Sequence, residues 1–183
     1  MPRRQQREPE ASRPLTPSGY GIERGATPEM LPWSEVRDRL AKARNYWVAT
    51  ASRDSRPHAM PVWGLWLAAH PVRPEPVEGQ AGEEMLYFST DPASRKGRNL
   101  HDNSRAVVHL ESGDDVVVLE GHVEEVTDSA ALDRFVAAYE PKYGFRPDPN
   151  NPNGKVYRLR HTTALAWREK DFPKSATRWS FNG

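Results

Sequence analysis

The residues best suited to binding an anion lie in one short segment, where an apolar strand gives way to a helix. The stretch FSTDPASRKGRNL, residues 88–100, ends its strand with hydroxyl side chains and places three cations early in the helix. Cations are unfavourable there because the free amide groups at a helix N-terminus already carry partial positive charge. A bound phosphate would reverse this balance by accepting from those amides and pairing with the cations.

Asp91 and Pro92 predict where this basic helix starts. Asp91 is a residue type that caps helix N-termini, and Pro92 suits the first helical position. A carboxylate in the cap would compete with a phosphate for the same amides. The alternative is a solvated helix whose charges bind nothing in particular, and the residues by themselves leave both interpretations open.

Composition limits what else the chain does. It has 183 residues, enough for one domain with a real core, and 26 Lys and Arg against 25 Asp and Glu. With charges so nearly balanced, no global field favours nucleic acid or an anionic membrane as a partner. The absence of cysteine excludes disulfides and thiolate chemistry, and no stretch has the apolar length of a membrane span. We expect a soluble cytoplasmic protein.

Two shifts in composition suggest the domain organisation. Residues 1–28 are rich in Arg, Pro, Ser and Glu and offer little to bury, which predicts a flexible N-terminal tail. The domain proper then covers residues 29–183. Within it, residues 68–84 combine prolines with a Gly-Gln-Ala-Gly run, which predicts an extended hairpin insertion.

Hydrophobic periodicity predicts the elements that must position the basic helix. One helix is predicted over 32–44 and another from Asp128 to about Pro141. Strands are predicted at 46–52, 57–67, 84–90, 105–112, 115–126 and 156–169. In the last strand, one face is predicted to carry Tyr157, Leu159, His161, Thr163, Leu165 and Trp167. Since strands and helices do not alternate regularly, this order favours a mainly β (α+β) fold, a closed antiparallel barrel with peripheral helices.

The segment YFSTDPASRKGRNLHDNSRAVVHLES, residues 87–112, resembles the phosphate-binding segment of the pyridoxamine 5'-phosphate oxidase-like split-barrel superfamily. The resemblance extends from about residue 33 to the end and implies a six-stranded antiparallel split β-barrel of the FMN-binding type. Members bind FMN or the related deazaflavin, coenzyme F-420. The matching residues are Ser89, Thr90, Ser94, Arg95 and Lys96. The resemblance implies that Arg95 and Lys96 grip the cofactor phosphate and that Thr90 adds a hydrogen bond.

Two further segments resemble parts of the family that contact the cofactor ring. The strand RPHAMPVW is similar to one whose backbone lies along the ring, which makes candidates of His58, Ala59, Met60, Pro61, Val62 and Trp63. An ordinary bulge at Pro61 is the alternative, because proline is tolerated at strand edges and bulges. The closing DFPKSATRWSFNG resembles a tail that reaches the ring and makes candidates of Arg178 and Trp179. Docking of its aromatic residues on the core is the alternative.

The chain also departs from the family's founding enzymes. The glutamine that many pyridoxamine phosphate oxidases carry is missing from DDVVV, residues 114–118, and their arginine-containing substrate motif is missing near the C-terminus. We therefore expect a different substrate. The patterns PVWGLWL, SRKGRNL and HLESGDDVVVLEG are closer to the branch of flavin and deazaflavin oxidoreductases.

The resemblance implies a homodimer with the cofactor at the subunit interface. The implied activity is hydride transfer between deazaflavin or FMN and a small organic substrate, with the chemistry supplied by the cofactor. On that basis we expect no essential acid or base among the side chains. No histidine pair shows metal-ligand spacing, so no metal site is assigned. A non-catalytic protein that carries or senses the cofactor is the alternative.

Overall fold

The structure is a computed structural model that describes residues 9–20, 22, 27, 29–68 and 84–181. In chain order its strands are β1 (Glu10–Ser12), β2 (Asn45–Ala51), β3 (Pro57–Ala68), β4 (Glu84–Thr90), β5 (Arg105–His109), β6 (Asp115–Glu125), β7 (Lys155–Arg168) and β8 (Thr177–Ser180). Its helices are α1 (Trp33–Lys42), α2 (Arg95–Asp102) and α3 (Ser129–Tyr143). Within these residues, none of the helices has the length and apolar composition needed to traverse a bilayer.

Six antiparallel strands close into a barrel. The sheet order is β7-β4-β3-β2-β5-β6, and β6 pairs back onto β7 to complete the ring. Strands β8 and β1 extend the sheet beyond β7. This arrangement confirms the predicted six-stranded antiparallel barrel with peripheral helices. The predicted insertion at 68–84 lies almost wholly outside the described residues; the strands on its two sides are paired, with Ala68 opposite Glu84.

Two apolar clusters hold the barrel and its helices together. The larger fills the barrel interior, where strand residues such as Tyr46, Phe88 and Leu159 are fully buried against Leu40 of α1. The smaller lies outside the barrel, where α3 packs across β3 and β4. Because side chains alternate along each strand, β3 and β4 contribute one face to each cluster.

The predicted face of the last strand is wrong beyond its midpoint. A register shift between Glu120 and Gly121 of β6 places the extra residue Thr162 in β7. The alternation therefore flips. Leu159 and His161 are buried on one face, but the buried residues then become Ala164 and Ala166, whereas Thr163, Leu165 and Trp167 are only partly buried.

Helix α3 also differs from its prediction, because it passes through Pro141 and continues to Tyr143. Proline removes one backbone donor from a helix but does not by itself decide where the helix ends. The helix stops at Gly144, whose φ of 71° lies in the left-handed region that favours glycine. Tyr143 is thereby held in the helix, and its hydroxyl donates to the carbonyl oxygen of Gly64 in β3 at 2.7 Å.

An N-terminal strand lies within the stretch predicted to be a flexible tail. Residues 10–12 form β1, which pairs with β8, so this part of the prediction differs from the structure. Arg13 anchors the segment: its guanidinium donates to the carbonyl oxygens of Pro173 at 3.0 Å, Lys174 at 2.6 Å and Ala176 at 3.0 Å. Composition did not predict this strand because it forms through partners distant in sequence.

Candidate functional site

The pairing of β3 with β4 stops partway along both strands, and we call the region between their unpaired parts the cleft. The two strands pair from Ala68 opposite Glu84 to Gly64 opposite Phe88, and their pairing ends there. Residues 57–63 of β3 continue along β2 on one edge, whereas no strand among the described residues pairs with their other edge. The end of β4 follows β7 instead. This unpaired edge of β3 leaves backbone donors and acceptors available to a ligand.

A turn at residues 91–94 separates β4 from helix α2, whose first residue is Arg95. The cap is Ser94, whose hydroxyl accepts from the amide of Gly97 at 3.0 Å. The predicted cap at Asp91 and first helical residue at Pro92 are wrong. Asp91 instead accepts from the amide of Ala93 at 2.7 Å and forms a turn before the helix. The Asp91 carboxylate therefore does not occupy the free amides of α2.

Gly97 allows α2 to lie unusually close to this turn. A Cβ atom at this position would lie 2.4 Å from the carbonyl oxygen of Asp91 and 2.6 Å from Cα of Pro92. Such distances require backbone to move, because neither contact is with a flexible side chain. Glycine therefore holds the first turn of α2 against the end of β4.

The burial of Lys96 is the least expected feature of the site. Its side chain lies on the buried face of α2 with only 7% of the residue exposed, and its Nζ is 6.0 Å from the ring centre of Phe88. Burial lowers the pKa of its ammonium group, and no carboxylate among the described residues counteracts that effect. A buried cation is costly without an opposite charge, so the site is suited to an anion.

Other candidates from the basic segment take different positions. Thr90 and Ser94 are brought together, with their hydroxyl oxygens 3.3 Å apart at the start of α2. Arg95 is exposed, while the guanidinium of Arg98 turns back to the carbonyl oxygen of Ala93. Ser89 lies on the opposite face of β4 from Thr90, because neighbouring strand residues alternate. The structure thus groups the hydroxyls of Thr90 and Ser94 at the start of α2, the helix that carries Lys96, and places Ser89 on the other face of β4.

The candidates on β3 divide between the open edge and the core. His58 is half-buried near α2, and burial together with the charges of Arg95 and Lys96 lowers its pKa. Ala59, Met60 and Pro61 are exposed. Val62 is buried in the barrel core.

The two tryptophan candidates both make structural contacts. Trp63 stacks on Tyr143 of α3 with ring centres 4.9 Å apart, and it remains 41% exposed. Trp179 is 1% exposed and packs against Trp33 with ring centres 5.4 Å apart. Trp179 is therefore a core residue, as expected if the aromatic residues of the C-terminal segment dock on the core, and we do not include it in the proposed site. Arg178 is partly buried and donates to the hydroxyl of Ser180 at 2.6 Å.

Two polar residues that the sequence analysis missed join α2 to the barrel. Asn99 and Thr50 are 4% and 5% exposed, and Nδ2 of Asn99 donates to Oγ1 of Thr50 at 3.0 Å. Asn99 follows Lys96 by three residues and so shares its helix face. The three-residue spacing from Lys96 could have identified Asn99 from the sequence. No pattern in the sequence around Thr50 identifies that residue.

These features fit the phosphate of a flavin-type cofactor. Lys96, which has no counter-charge, lies on the first turn of α2, and the hydroxyl groups of Thr90 and Ser94 lie between the end of β4 and that turn. The unpaired edge of β3 lies across the cleft, where a ring could accept and donate backbone hydrogen bonds. Charge, hydrogen-bonding capacity and position therefore all suit an elongated ligand with an anionic end.

The closed six-stranded ring, in which β3 and β4 pair over only part of their length, defines the class of protein as a split β-barrel. The family model described as pyridoxamine 5'-phosphate oxidase matches residues 33–168, well over half of the chain. The chain therefore belongs to the pyridoxamine 5'-phosphate oxidase family. No curated protein matches it.

Several solved structures share the fold. A conserved hypothetical protein from Mycobacterium tuberculosis is 21% identical with a TM-score of 0.58, and the match covers 80% of this chain and 91% of that one. A protein related to general stress protein 26, of the pyridoxinephosphate oxidase family, from Clostridium acetobutylicum is 14% identical with a TM-score of 0.57, covering 81% and 93%. A structure described as an F420 reductase is 18% identical with a TM-score of 0.50, covering 69% and 94%.

Proposed function

We propose that this protein is an oxidoreductase that binds a phosphorylated flavin between α2 and the open edge of β3. In this role it transfers hydride between the flavin and a small organic substrate. The observation that carries the proposal is Lys96, whose side chain is largely buried and whose ammonium group has no carboxylate partner among the described residues. Family membership supports the same interpretation.

Each part of the cleft has a defined task in this proposal. Lys96 and the first amides of α2 bind the phosphate, with Arg95 closing the outer side and Thr90 and Ser94 adding hydroxyl groups. The backbone of residues 58–61 orients the ring. When bound, the flavin supplies the hydride chemistry, so no side chain of the protein is required as an acid or base.

Coenzyme F-420 is our first choice of flavin, and FMN is the second. The similarity of the fold to an F420 reductase supports this order. The deazaflavin coenzyme also carries a long acidic tail, and Arg56, in the hairpin loop between β2 and β3, is an exposed cation that pairs with Asp54 at 2.8 Å. Such a tail would gain from extra positive charge.

The functional unit in this proposal is a homodimer. Met60 is 48% exposed, and Ala59 and Pro61 beside it are exposed as well. A strand with an unpaired edge and exposed apolar residues on both faces is suited to being covered by another chain. A second copy placed there would shield the ring from water.

A side-by-side titration of the purified protein with coenzyme F-420, FMN and FAD, followed by ligand fluorescence, tests the proposal. We expect saturable binding of at least one phosphorylated flavin, with coenzyme F-420 preferred. The bound flavin should then be reduced by a donor and should reduce an acceptor. Tight binding without turnover would instead identify a carrier or sensor, and failure of all three flavins to bind would contradict the proposal.

A further inference from the structure

Asn99 and Thr50 form a buried hydrogen bond that joins α2 to β2. The bond runs from α2, which follows β4, to the end of β2 on the other side of the cleft. Both residues are almost fully buried, at 4% and 5% exposure, and the bond is 3.0 Å long. A buried polar contact of this kind is directional, and breaking it leaves unpaired groups, so it holds two elements in one relative position.

The contact links the two ends of the proposed site through short, rigid steps. On α2, Asn99 is one turn after Lys96 on the same face. In the sheet, Thr50 is the direct ladder partner of His58, the first ring-facing candidate on β3. The hydroxyl of Thr50 also lies 3.4 Å from the carbonyl oxygen of His58. Asn99 is therefore tied to both the phosphate side and the ring side.

We propose that Asn99 and Thr50 are positioning residues that set the distance between the phosphate-binding residues and the ring-facing edge of β3. This inference rests on the proposed function. It explains why the site would prefer a ligand that carries both a ring and a phosphate. A ligand with a ring and a phosphate gains from both contacts at once only when their spacing matches its length. Ligands that carry one end alone do not depend on that spacing.

The test compares phosphorylated and unphosphorylated ligands of the same ring. FMN is compared with riboflavin, and coenzyme F-420 with its ring fragment that lacks the phosphate. Inorganic phosphate alone represents the anionic part of each ligand. In Asn99→Ala we expect about 10-fold weaker binding of the phosphorylated member, corresponding to one buried hydrogen bond. Binding of the ring fragment and of phosphate should change less than about twofold on the same scale.

Variants at Thr50 show whether the hydroxyl itself is responsible. Thr50→Val removes it at constant shape and should reproduce the Asn99→Ala loss, whereas Thr50→Ser keeps it and should bind as the unchanged protein does. The double variant Asn99→Ala with Thr50→Val should lose no more than Thr50→Val alone, because Thr50→Val already removes the bond to Asn99.

Thr177→Val is the matched control. Thr177 is fully buried and its hydroxyl accepts from the amide of Leu31 at 2.8 Å, far along the chain from the cleft. This variant should lose comparable stability in urea unfolding without changing the affinity for the phosphorylated flavin.

Two results overturn the inference in different ways. Equal loss of ring fragment, phosphate and intact flavin in Asn99→Ala, or unchanged binding of all three, would contradict a positioning role and leave the proposed function intact. If the unchanged protein shows no gain from the phosphate in either ligand pair, both the proposed function and this inference fail.

Discussion

Single residues at the proposed site include one that lowers stability unless an anion is bound. Burial removes much of the hydration of Lys96, and no carboxylate among the described residues forms an ion pair with it. Replacing such a group by an apolar one of similar length is commonly neutral or stabilising. A residue whose removal should help folding and harm binding is a sensitive test of function.

Lys96→Met is therefore expected to keep or raise the melting temperature while weakening binding of the phosphorylated flavin by about 10- to 100-fold, the range for a hydrogen bond to a charged group. Fluorescence titration and thermal unfolding of the same sample measure both. Lys170→Met, at an exposed lysine of the turn after β7, is the control and should change neither. Loss of stability together with unchanged affinity would show that Lys96 is a structural residue.

His161 provides a pH-dependent prediction that is independent of any ligand. It is 3% exposed and surrounded by rings, with centres at 6.0 Å for Trp33, 5.3 Å for Trp66 and 4.3 Å for Phe181. Burial lowers the pKa of His161 to about 4 from its ordinary value of 6.5. Above pH 6.5 the ring is neutral in both the folded and the unfolded chain, so it adds no pH dependence there.

Between those two pKa values the unfolded chain binds a proton that the folded chain does not. The free energy of unfolding should therefore fall as the pH falls, by up to about 1.4 kcal/mol per pH unit from this residue. His161→Phe keeps an aromatic ring in place and should lose less stability between about pH 7.5 and about pH 5 in urea unfolding. Equal losses in the two proteins would contradict this prediction.

At the scale of elements, the site depends on how closely α2 approaches the turn after β4. Ser94 caps the helix, Gly97 permits the contact with Asp91 and Pro92, and Asn99 completes the attachment to β2. The helix is short, so these attachments rather than its own propensity hold it in place.

Gly97→Ala is expected to push α2 away from the turn, because the added methyl group meets backbone atoms that cannot rotate aside. We expect the free energy of unfolding to drop by about 1–3 kcal/mol, the range for overpacked sites, and binding of the phosphorylated flavin to weaken. Chemical unfolding and titration measure the two effects. Gly113→Ala is the control, because nothing lies within 4 Å of the added atom; similar losses in both variants would contradict the close-approach argument.

At the scale of the whole molecule, the barrel is complete on most sides and open at β3. The interior is filled by a single large apolar cluster, and α3 covers the outer faces of β3 and β4. The first half of β3 has exposed residues on both faces and an unpaired edge among the described residues. This region is where the proposed dimer would form.

Ala59→Arg is expected to convert the proposed dimer to a monomer, because the charge would have to be buried between the subunits without a partner. Sedimentation velocity measures the change, and affinity for the phosphorylated flavin should fall with it. Ala137→Arg makes the same substitution at an exposed position of α3 and should leave the assembly unchanged. A protein that is monomeric before any substitution, yet binds the flavin tightly, would contradict the proposed interface.

Local pattern in the sequence determined most of the elements. The apolar runs at 84–90 and 115–126 predicted strands that match β4 and β6 closely. The basic residues after Thr90 predict an anion site at α2, and this remains a prediction. The strand predictions succeeded because strand periodicity and residue type act over a few neighbouring residues.

Only the tertiary structure decided the features that depend on distant partners. The burial of Lys96, the flip of β7 at Thr162, the strand formed by residues 10–12 and the bond from Asn99 to Thr50 each require contact between segments far apart in the chain. The same holds for Trp179, which the core encloses. The physical reason is that burial and long-range pairing are properties of the closed barrel, which no short stretch of sequence contains.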